Sequence, residues 1–364
     1  MMKIIISGGG TGGHIYPAIA IAKAIKQKNC NADILFVGAK GKMEMEKVPA
    51  EGFKIIGLWI SGFQRKITIK NLLFPLKLIL SYIKAWQIIR SFKPDVIIGV
   101  GGYASGPLLR AGLQMKIPCL IQEQNSYPGI TNKILSKKVN KICVAYEGME
   151  RYFPKDKIVL TGNPVRKNIV ENKISKEQAA EYFGFSTEKT TILALGGSLG
   201  ALTINESIAN SIGYFFEKDL QLIWQTGKYY YEDIKQRFII KSDGIKIFSF
   251  INEMEYAYSM ADIIISRAGA IAISELAIVG KPLILVPSPN VAEDHQTKNA
   301  NSLVEKNAAI MIKDSEARQI MQTTIDELIK DKEKQKEMKE NLKKLSIEDA
   351  AEKIADEAIS LIKI

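Results

Sequence analysis

The chain has 364 residues, 46% of them hydrophobic and 24% charged, and a net charge of +11. These proportions are typical of a water-soluble globular protein, and the length is enough for two domains. No helix-turn-helix, zinc-finger or RNA-binding signature accompanies the basic residues, so nucleic acid is not expected as a partner. Cys30, Cys119 and Cys143 are scattered singly, which argues against a disulfide framework and a structural zinc site.

No apolar run reaches the roughly 18 residues that a membrane-spanning helix needs. The first predicted strand begins directly after Met-Met-Lys, which leaves no room for a signal peptide. The sequence therefore predicts a cytoplasmic protein.

The first predicted elements are a strand, a glycine-rich loop and a helix, within residues 4–17. Isoleucines form the strand, and apolar periodicity from about Pro17 indicates the helix. Glycines let backbone N–H groups crowd together and the helix N-terminus adds positive potential, so the loop is predicted to bind an anion. His14, one of only two histidines, lies at the edge of this loop. An imidazole beside a phosphate site suggests proton transfer at a sugar nucleotide.

The same loop has an alternative interpretation as a dinucleotide site. Gly8, Gly10 and Gly13 fit the pattern G-x-G-x-x-G, which also needs an acidic residue at the end of the second strand to hold a ribose. The second predicted strand, residues 34–37, runs instead into Gly-Ala-Lys, and Asp33 precedes it. The pattern therefore favours a sugar nucleotide over NAD.

The segment between Glu51 and Asp95 contains no acidic residue and eight Lys or Arg residues, interleaved with aromatic and aliphatic side chains. Residues 1–165 contain 24 Lys and Arg against 9 Asp and Glu, whereas the remainder contains 26 against 30. This composition favours contact with an anionic membrane surface. The alternative is a buried helix with a solvated basic face, because Lys70, Lys77 and Lys84 recur every seven residues.

Strand–turn–helix units then repeat along the chain, and a second glycine loop lies at residues 196–201. Strands alternating with helices predict two doubly wound α/β domains with parallel sheets, whose carboxyl ends face a shared cleft. A charged helix is predicted over residues 330–344 and an amphipathic helix from 346 onward. Further strands are predicted at residues 96–98, 119–122, 142–145, 157–160, 191–195, 221–225, 245–248, 262–266 and 282–286.

Seven segments in chain order carry a resemblance to a known family. They are Gly-Gly-Thr-Gly-Gly-His, Gly-Gly-Tyr-Ala-Ser-Gly-Pro, Glu-Gln-Asn, Gly-Asn-Pro-Val-Arg, Gly-Gly-Ser, Arg-Ala-Gly-Ala-Ile-Ala-Ile-Ser-Glu and Asp-His-Gln-Thr-Lys-Asn-Ala. Together, over residues 4–301, they resemble the MurG family of N-acetylglucosaminyltransferases, glycosyltransferase family 28. The resemblance implies a GT-B fold, with two Rossmann-like doubly wound domains facing a central cleft.

The resemblance also implies an activity that needs no cofactor. GlcNAc would pass, with inversion, from UDP-GlcNAc to the 4-hydroxyl of MurNAc-(pentapeptide)-pyrophosphoryl-undecaprenol, called lipid I, at the cytoplasmic side of the cell membrane. Residues 1–163 would form an acceptor and membrane-docking domain and residues 164–345 a UDP-GlcNAc-binding domain. The helix within residues 346–364 would pack back on the first domain.

Inverting transfer needs a base for the acceptor proton and stabilisation of the departing UDP. His14 is the predicted base and Glu123 the alternative; His14 could also be a substrate donor that transfers no proton. The resemblance further implies that Glu275 accepts the ribose hydroxyls. The other predicted substrate-binding residues are Thr11, Gly12, Gly13, Asn125, Arg166, Ser198, Ile251 (through its backbone, near uracil), Ala270, Ile271, Ala272, Ile273, Ser274 and Gln296.

Two positions depart from the pattern of many relatives. Gln122 stands where they have His before Glu-Gln-Asn, and Leu199 stands where they have Gln after Gly-Gly-Ser. No Asp-x-Asp occurs, so no protein-bound metal is expected and Arg166 with helix dipoles would carry the leaving-group charge. Open alternatives are a diacylglycerol glycosyltransferase or similar GT-B enzyme, a UDP-GlcNAc epimerase, and a non-catalytic nucleotide-binding module at membranes.

Overall fold

The computed structural model describes residues 1–10, 12–62, 73–238 and 243–362. The chain divides into two compact units, Met1–Val165 with Ile347–Ile364, and Arg166–Ser346. Each unit contains one sheet with helices along it, and neighbouring strands in both sheets are parallel. The predicted pair of doubly wound parallel α/β domains is therefore confirmed. A cleft shared by the two sheets stays a prediction.

The first unit has a seven-stranded sheet in the order β3-β2-β1-β4-β5-β6-β7. Its strands are β1 (Lys3–Ser7), β2 (Asp33–Ala39), β3 (Lys54–Leu58), β4 (Val96–Gly99), β5 (Cys119–Glu123), β6 (Lys141–Val144) and β7 (Ile158–Leu160). Its helices are α1 (Gly12–Lys28), α2 (Glu44–Ala50), α3 (Phe74–Phe92), α4 (Ser105–Gln114) and α5 (Ile130–Ser136).

The centre of this sheet explains where its site must lie. Ile4, Ile5 and Ile6 of β1 are completely buried because helices cover both faces of the sheet, which is why the strand is a continuous apolar run. The strand order reverses between β1 and β4, and ligands in such sheets bind at the carboxyl ends beside that reversal. The loops that follow β1 and β4 are both glycine-rich.

The second unit has a six-stranded sheet in the order β10-β9-β8-β11-β12-β13. Its strands are β8 (Thr191–Leu195), β9 (Gln221–Gln225), β10 (Ile245–Phe248), β11 (Ile263–Ser266), β12 (Leu283–Leu285) and β13 (Ile310–Met311). Its helices are α6 (Lys167–Val170), α7 (Lys176–Phe183), α8 (Leu202–Asn210), α9 (Ile212–Glu217), α10 (Tyr231–Arg237), α11 (Met254–Met260), α12 (Ala270–Val279), α13 (His295–Val304), α14 (Ala317–Lys330) and α15 (Lys332–Leu345). The reversal here lies between β8 and β11.

The last helix, α16 (Ala350–Ser360), belongs to the first unit although it follows the second in the chain. It packs on α1, with Ile354 completely buried in the same apolar core. Ion pairs from Lys28 to Asp356 (2.8 Å) and from Lys141 to Glu357 (2.9 Å) lie at the edge of this contact. The burial of an apolar helix face holds the chain terminus against the first sheet.

Three details differ from the sequence interpretation. Helix α1 begins at least five residues before Pro17, so Gly12, Gly13 and His14 lie in its first turn rather than in a loop. The ring of Pro17 costs the helix one backbone hydrogen bond, which the buried apolar face of α1 outweighs. Strands β3 and β13 were not predicted: β3 is a half-exposed edge strand and β13 has only two residues.

Candidate functional site

Two glycine loops meet at the carboxyl ends of β1 and β4 in the first unit. A Cβ on Gly8 would lie 2.1 Å from Val100 Cγ2, and a Cβ on Gly102 would lie 2.3 Å from the Gly9 carbonyl oxygen. Gly102 also has a φ of +84°, a conformation that favours glycine. The glycines are therefore required for the close approach of two backbones, in addition to any contact with a ligand.

His14 lies half-buried in the first turn of α1, with its ring against the loop after β4. A Cβ on Gly101 would lie 2.8 Å from His14 Cδ2 and 3.0 Å from His14 Nε2. The imidazole ring can lie here because Gly101 has no side chain that would collide with it. Gly12 and Gly13 lie in the same turn of α1, and Thr11 lies outside the described residues.

Glu123, the alternative base, is held by the main chain around it. Its side chain is 2% exposed. Its carboxylate accepts hydrogen bonds from the N–H groups of Asn125 (3.0 Å) and Gly129 (3.1 Å), and from the side-chain amide of Asn132 (2.8 Å). Burial raises the pKa of Glu123, and these bonds act in the opposite direction. A carboxylate with this set of donors shapes the loop that leads to α5.

Asn125 is predicted to bind substrate, and its side-chain amide donates to Glu123 Oε1 at 3.2 Å. Gln122, the first departure from the family pattern, is completely buried. Its amide donates to Asn163 Oδ1 at 2.9 Å, and Asn163 donates in turn to the Gln124 carbonyl at 3.0 Å. This network ties Gly-Asn-Pro-Val-Arg to the end of β5, so Gln122 has a structural role here.

Glu44 is a residue that the sequence analysis missed. It is completely buried, and its carboxylate accepts hydrogen bonds from the Gly10 N–H, within the loop predicted to bind a substrate anion. No local signal distinguishes Glu44 from Glu46, two positions later in the same helix, which is exposed. The first glycine loop thus binds an anion that belongs to the protein.

In the second unit, two residues predicted to have separate roles form one pair. Arg166 Nε lies 2.8 Å from Glu275 Oε1, and its Nη2 lies 3.0 Å from Oε2. The Tyr258 hydroxyl is 3.4 Å from Oε2, and burial together with the Glu275 charge raises the pKa of this tyrosine. A two-point pair with a guanidinium fixes the plane of the carboxylate, and Oε1, which accepts from Arg166 Nε, keeps a lone pair for a further donor.

The start of α12 has the geometry expected of an anion site, with Gly269 at the N-cap and no acidic residue in the first turn. The Ile273 N–H is already bonded to the Gly269 carbonyl (2.9 Å), and the Ser274 hydroxyl donates to the Ala270 carbonyl (3.1 Å). The N–H groups that an α-helix leaves for a ligand are those of its first turn. Of the predicted segment 270–274, Ile271 and Ala272 lie in this first turn, next to Ala270.

Two further predicted residues have one polar group engaged within the protein. Gln296 Oε1 accepts from the N–H groups of Ser288 (2.8 Å) and Ala268 (3.3 Å), so a contact with a sugar would come from its amide nitrogen. The Ile251 N–H donates to Gln225 Oε1 (2.9 Å), so a contact with uracil would come from the Ile251 carbonyl.

The second glycine loop, residues 196–201, presents exposed side chains. Ser198 and Leu199 are both exposed, Leu199 to 54%. Gly200 has a φ of +94°, and a Cβ there would lie 2.4 Å from the Thr226 carbonyl oxygen. Close packing beneath the loop therefore leaves Ser198 on its outer side.

Helix α3 presents an apolar face to solvent in the first unit. Leu76 (48%), Ile79 (57%) and Ile83 (48%) are among its exposed side chains, and Lys84 beside them is also exposed. Lys77 is half-buried: its ammonium lies 5.5 Å from the centre of the Trp59 ring. Lys70 lies outside the described residues. Among the described helices, none is long and apolar enough to cross a membrane.

The chain is similar to known proteins, both in its two domains and along nearly its whole length. Two family models match, the glycosyltransferase family 28 N-terminal domain over residues 4–144 and the C-terminal domain of the same family over residues 191–354.

Within the described parts of the chain, no group of three or more His, Cys, Asp or Glu residues could hold a metal ion.

Relatives match along nearly the whole chain. A UDP-N-acetylglucosamine–N-acetylmuramyl-(pentapeptide) pyrophosphoryl-undecaprenol N-acetylglucosamine transferase from Flavobacterium psychrophilum is 53% identical over 361 residues, 99% of this chain and 98% of that protein. The transferase of the same name from Cytophaga hutchinsonii is 57% identical over 360 residues, 99% and 97% of the two chains. The crystal structure of Acinetobacter baumannii MurG has a TM-score of 0.82 at 27% identity, covering 99% of this chain and 100% of that one. The predicted GT-B fold is confirmed.

Proposed function

The chain belongs to glycosyltransferase family 28, and from this premise we propose that it transfers GlcNAc from UDP-GlcNAc, with inversion, to the 4-hydroxyl of MurNAc-(pentapeptide)-pyrophosphoryl-undecaprenol. The observation that carries the proposal is the Arg166–Glu275 pair beside the first turn of α12. It joins an acceptor for hydroxyl groups, a cation and a helix N-terminus, which are the three groups that a nucleoside diphosphate sugar requires.

The donor is assigned to the second unit. Glu275 accepts the ribose hydroxyls, the N–H groups of Ile271 and Ala272 and the Ser198 hydroxyl bind the diphosphate, and Gln296 donates to the sugar. As the bond from C1 of GlcNAc to the diphosphate breaks, negative charge develops on the departing UDP. The helix dipole and the Arg166 guanidinium stabilise this charge.

The acceptor is assigned to the first unit, with His14 as the general base. The imidazole takes the proton of the 4-hydroxyl as that oxygen attacks C1 from the face opposite UDP. Gly101 supports this role because it lets the ring lie against the loop after β4 at a fixed position. Glu123 is left with the positioning of the loop before α5.

The acceptor carries a polyprenyl chain, so the first unit is proposed to dock on the anionic cytoplasmic face of the cell membrane. The face of α3 defined by Leu76, Ile79 and Ile83 offers apolar side chains for the interface, with Lys84 beside them. Apolar burial and attraction to anionic lipids together give reversible binding of this kind. The enzyme would then be a peripheral membrane protein.

The decisive assay uses radiolabelled UDP-GlcNAc and a short-chain pyrophosphoryl-linked MurNAc-pentapeptide acceptor. We expect label in the acceptor and release of UDP. Transfer of the label to diacylglycerol, supplied as a second acceptor, would instead identify a diacylglycerol glycosyltransferase. Formation of an epimerised UDP-sugar without acceptor would identify an epimerase. Donor binding with no turnover on any acceptor would leave a non-catalytic module and overturn the proposal.

A further inference from the structure

Glu44 is a buried acidic residue to which the proposed reaction gives no role. It opens α2, and its carboxylate is completely buried. Oε1 and Oε2 each lie 3.1 Å from the Gly10 nitrogen, and Oε1 also accepts from the Ala39 N–H at 2.9 Å. Since charge-assisted bonds of this kind are strong, the carboxylate joins the first glycine loop to the end of β2.

Two glycines make room for this carboxylate. A Cβ on Gly9 would lie 2.1 Å from Glu44 Oε1, and a Cβ on Gly38 would lie 2.6 Å from Glu44 Cγ. A side chain at either position would therefore displace Glu44 or the backbone beneath it. The space around the carboxylate is fitted to it, because main chain without side chains borders it. A side chain on Gly9 or Gly38 would collide with Glu44.

The position of Glu44 affects the proposed base through the backbone. Gly9 and Gly10 lead directly into α1, whose first turn carries His14. Gly9 also packs on Gly102, next to the Gly101 position where the His14 ring lies. The carboxylate thus anchors a loop that packs on the loop after β4, against which the imidazole lies.

We propose that Glu44 is a positioning residue, a built-in anion that occupies the Gly10 N–H and holds the first glycine loop in the shape that presents His14. A substrate phosphate bound in the first unit then uses groups other than the Gly10 N–H. The kinetic consequences rest on the proposed function, in which the donor binds the second unit and the proton is taken in the first.

The test replaces the carboxylate with its amide. Glu44→Gln keeps one oxygen, which can accept from Gly10 and Ala39 as Oε1 does. It replaces Oε2 with an NH₂ group that faces the Gly10 N–H donor to donor, and it removes the negative charge. We expect kcat to fall about 10- to 100-fold, the change that corresponds to an unsatisfied buried donor. The KM for UDP-GlcNAc and its calorimetric affinity should stay within about twofold of the wild type. Glu46→Gln, which changes an exposed acid in the same helix, is the matched control and should keep full activity.

Hydrogen exchange tests the inference without relying on turnover. In Glu44→Gln, peptides covering residues 4–20 should exchange faster, and peptides covering 190–230 should be unchanged. A wild-type protein without transferase activity would refute the proposed function while this exchange result still stood. If Glu44→Gln does not fold, Glu44→Asp keeps the charge and should show the same changes more weakly.

Two results would overturn the inference. One is a folded Glu44→Gln protein with wild-type kcat and wild-type exchange in the first loop. The other is a proportional loss of kcat, donor affinity and thermal midpoint, because a general loss of folding would affect both units.

Discussion

Two helix starts that the sequence predicts to bind anions, those of α1 and α12, solve different problems in the structure. In the first unit, the loop after β1 already contains an anion, the Glu44 carboxylate, and packs backbone to backbone with the loop after β4. In the second unit, the first turn of α12 has no acidic residue, and Glu275 one turn along is turned onto Arg166. A helix start with the pattern of an anion site therefore indicates a place where an anion is stabilised, and its surroundings decide whether that anion belongs to the protein or to a ligand.

Three glutamates are buried in the described part of the chain, and their partners sharpen this comparison. Glu44 accepts from main-chain N–H groups and Glu123 from main-chain N–H groups and side-chain amides, whereas Glu275 is paired with a guanidinium. Carboxylates bonded to main chain shape loops. The guanidinium in the second unit orients one carboxylate, which suits a ligand with hydroxyl groups.

The largest effect is expected at the base in the first unit. His14→Ala should lower kcat by about 10²–10⁴, the usual contribution of general base catalysis. The KM for UDP-GlcNAc should change little, because the donor is assigned to the second unit. Steady-state kinetics with a short-chain acceptor measures both quantities. Near-normal kcat with a raised acceptor KM would make His14 a binding residue.

The next effect is expected at the carboxylate in the second unit. Glu275→Ala should weaken UDP-GlcNAc binding about 10- to 150-fold, because a hydrogen bond to a charged group contributes roughly 1.5–3 kcal/mol. Calorimetry on the folded variant measures this, and Glu253→Ala, an exposed acid before α11, is the control. Unchanged affinity in the Glu275 variant would remove this residue from the donor site.

A smaller effect on rate is expected at Glu123, in contrast to His14. Glu123→Gln should keep kcat within about tenfold of the wild type, since the carboxylate shapes a loop and removes no proton. A rate loss as large as that of His14→Ala would make Glu123 the base.

The same variant should differ from the wild type in how its stability depends on pH. Burial raises the pKa of Glu123 above the value of about 4.3 that an exposed glutamate has. Its contribution to stability is complete below about pH 4.3 and is lost as the pH rises through the folded-state value. Glu123→Gln has no such titration, so its free energy of unfolding should rise relative to the wild type as the pH rises from about 4.3 through the folded-state pKa of Glu123. Denaturant unfolding at several pH values checks the sign, and a relative change in the opposite direction would contradict it.

The smallest effect per residue is expected on the exposed face of α3. Ile79→Ser with Ile83→Ser should reduce binding to anionic vesicles, and Lys84→Glu should weaken it further by about 1 kcal/mol. Activity on a short-chain acceptor should survive. Lys77 is left unchanged because it packs on Trp59. Lys336→Glu, an exposed charge reversal in the second unit, is the control. Equal vesicle binding by wild type and variants would leave α3 as an ordinary solvated helix.

The sequence by itself determined the two α/β sheets, because β-branched runs such as Ile4–Ile6 and the glycine turns after them are local signals. It was less informative where burial is incomplete. Among the described strands, β3 pairs with β2 alone and is half-exposed. Its residues 54–58 therefore show no clear hydrophobic pattern of a buried strand within the basic segment.

The tertiary structure alone decided the partners of buried polar groups. Arg166 and Glu275 are 109 positions apart, and the sequence placed both near a nucleotide without indicating that they pair. Glu44 and Glu46 are equivalent in composition and local pattern, but only Glu44 faces the glycine loop. The physical reason is that a buried carboxylate must find donors, and which donors it meets depends on the sheet order that brings distant loops together.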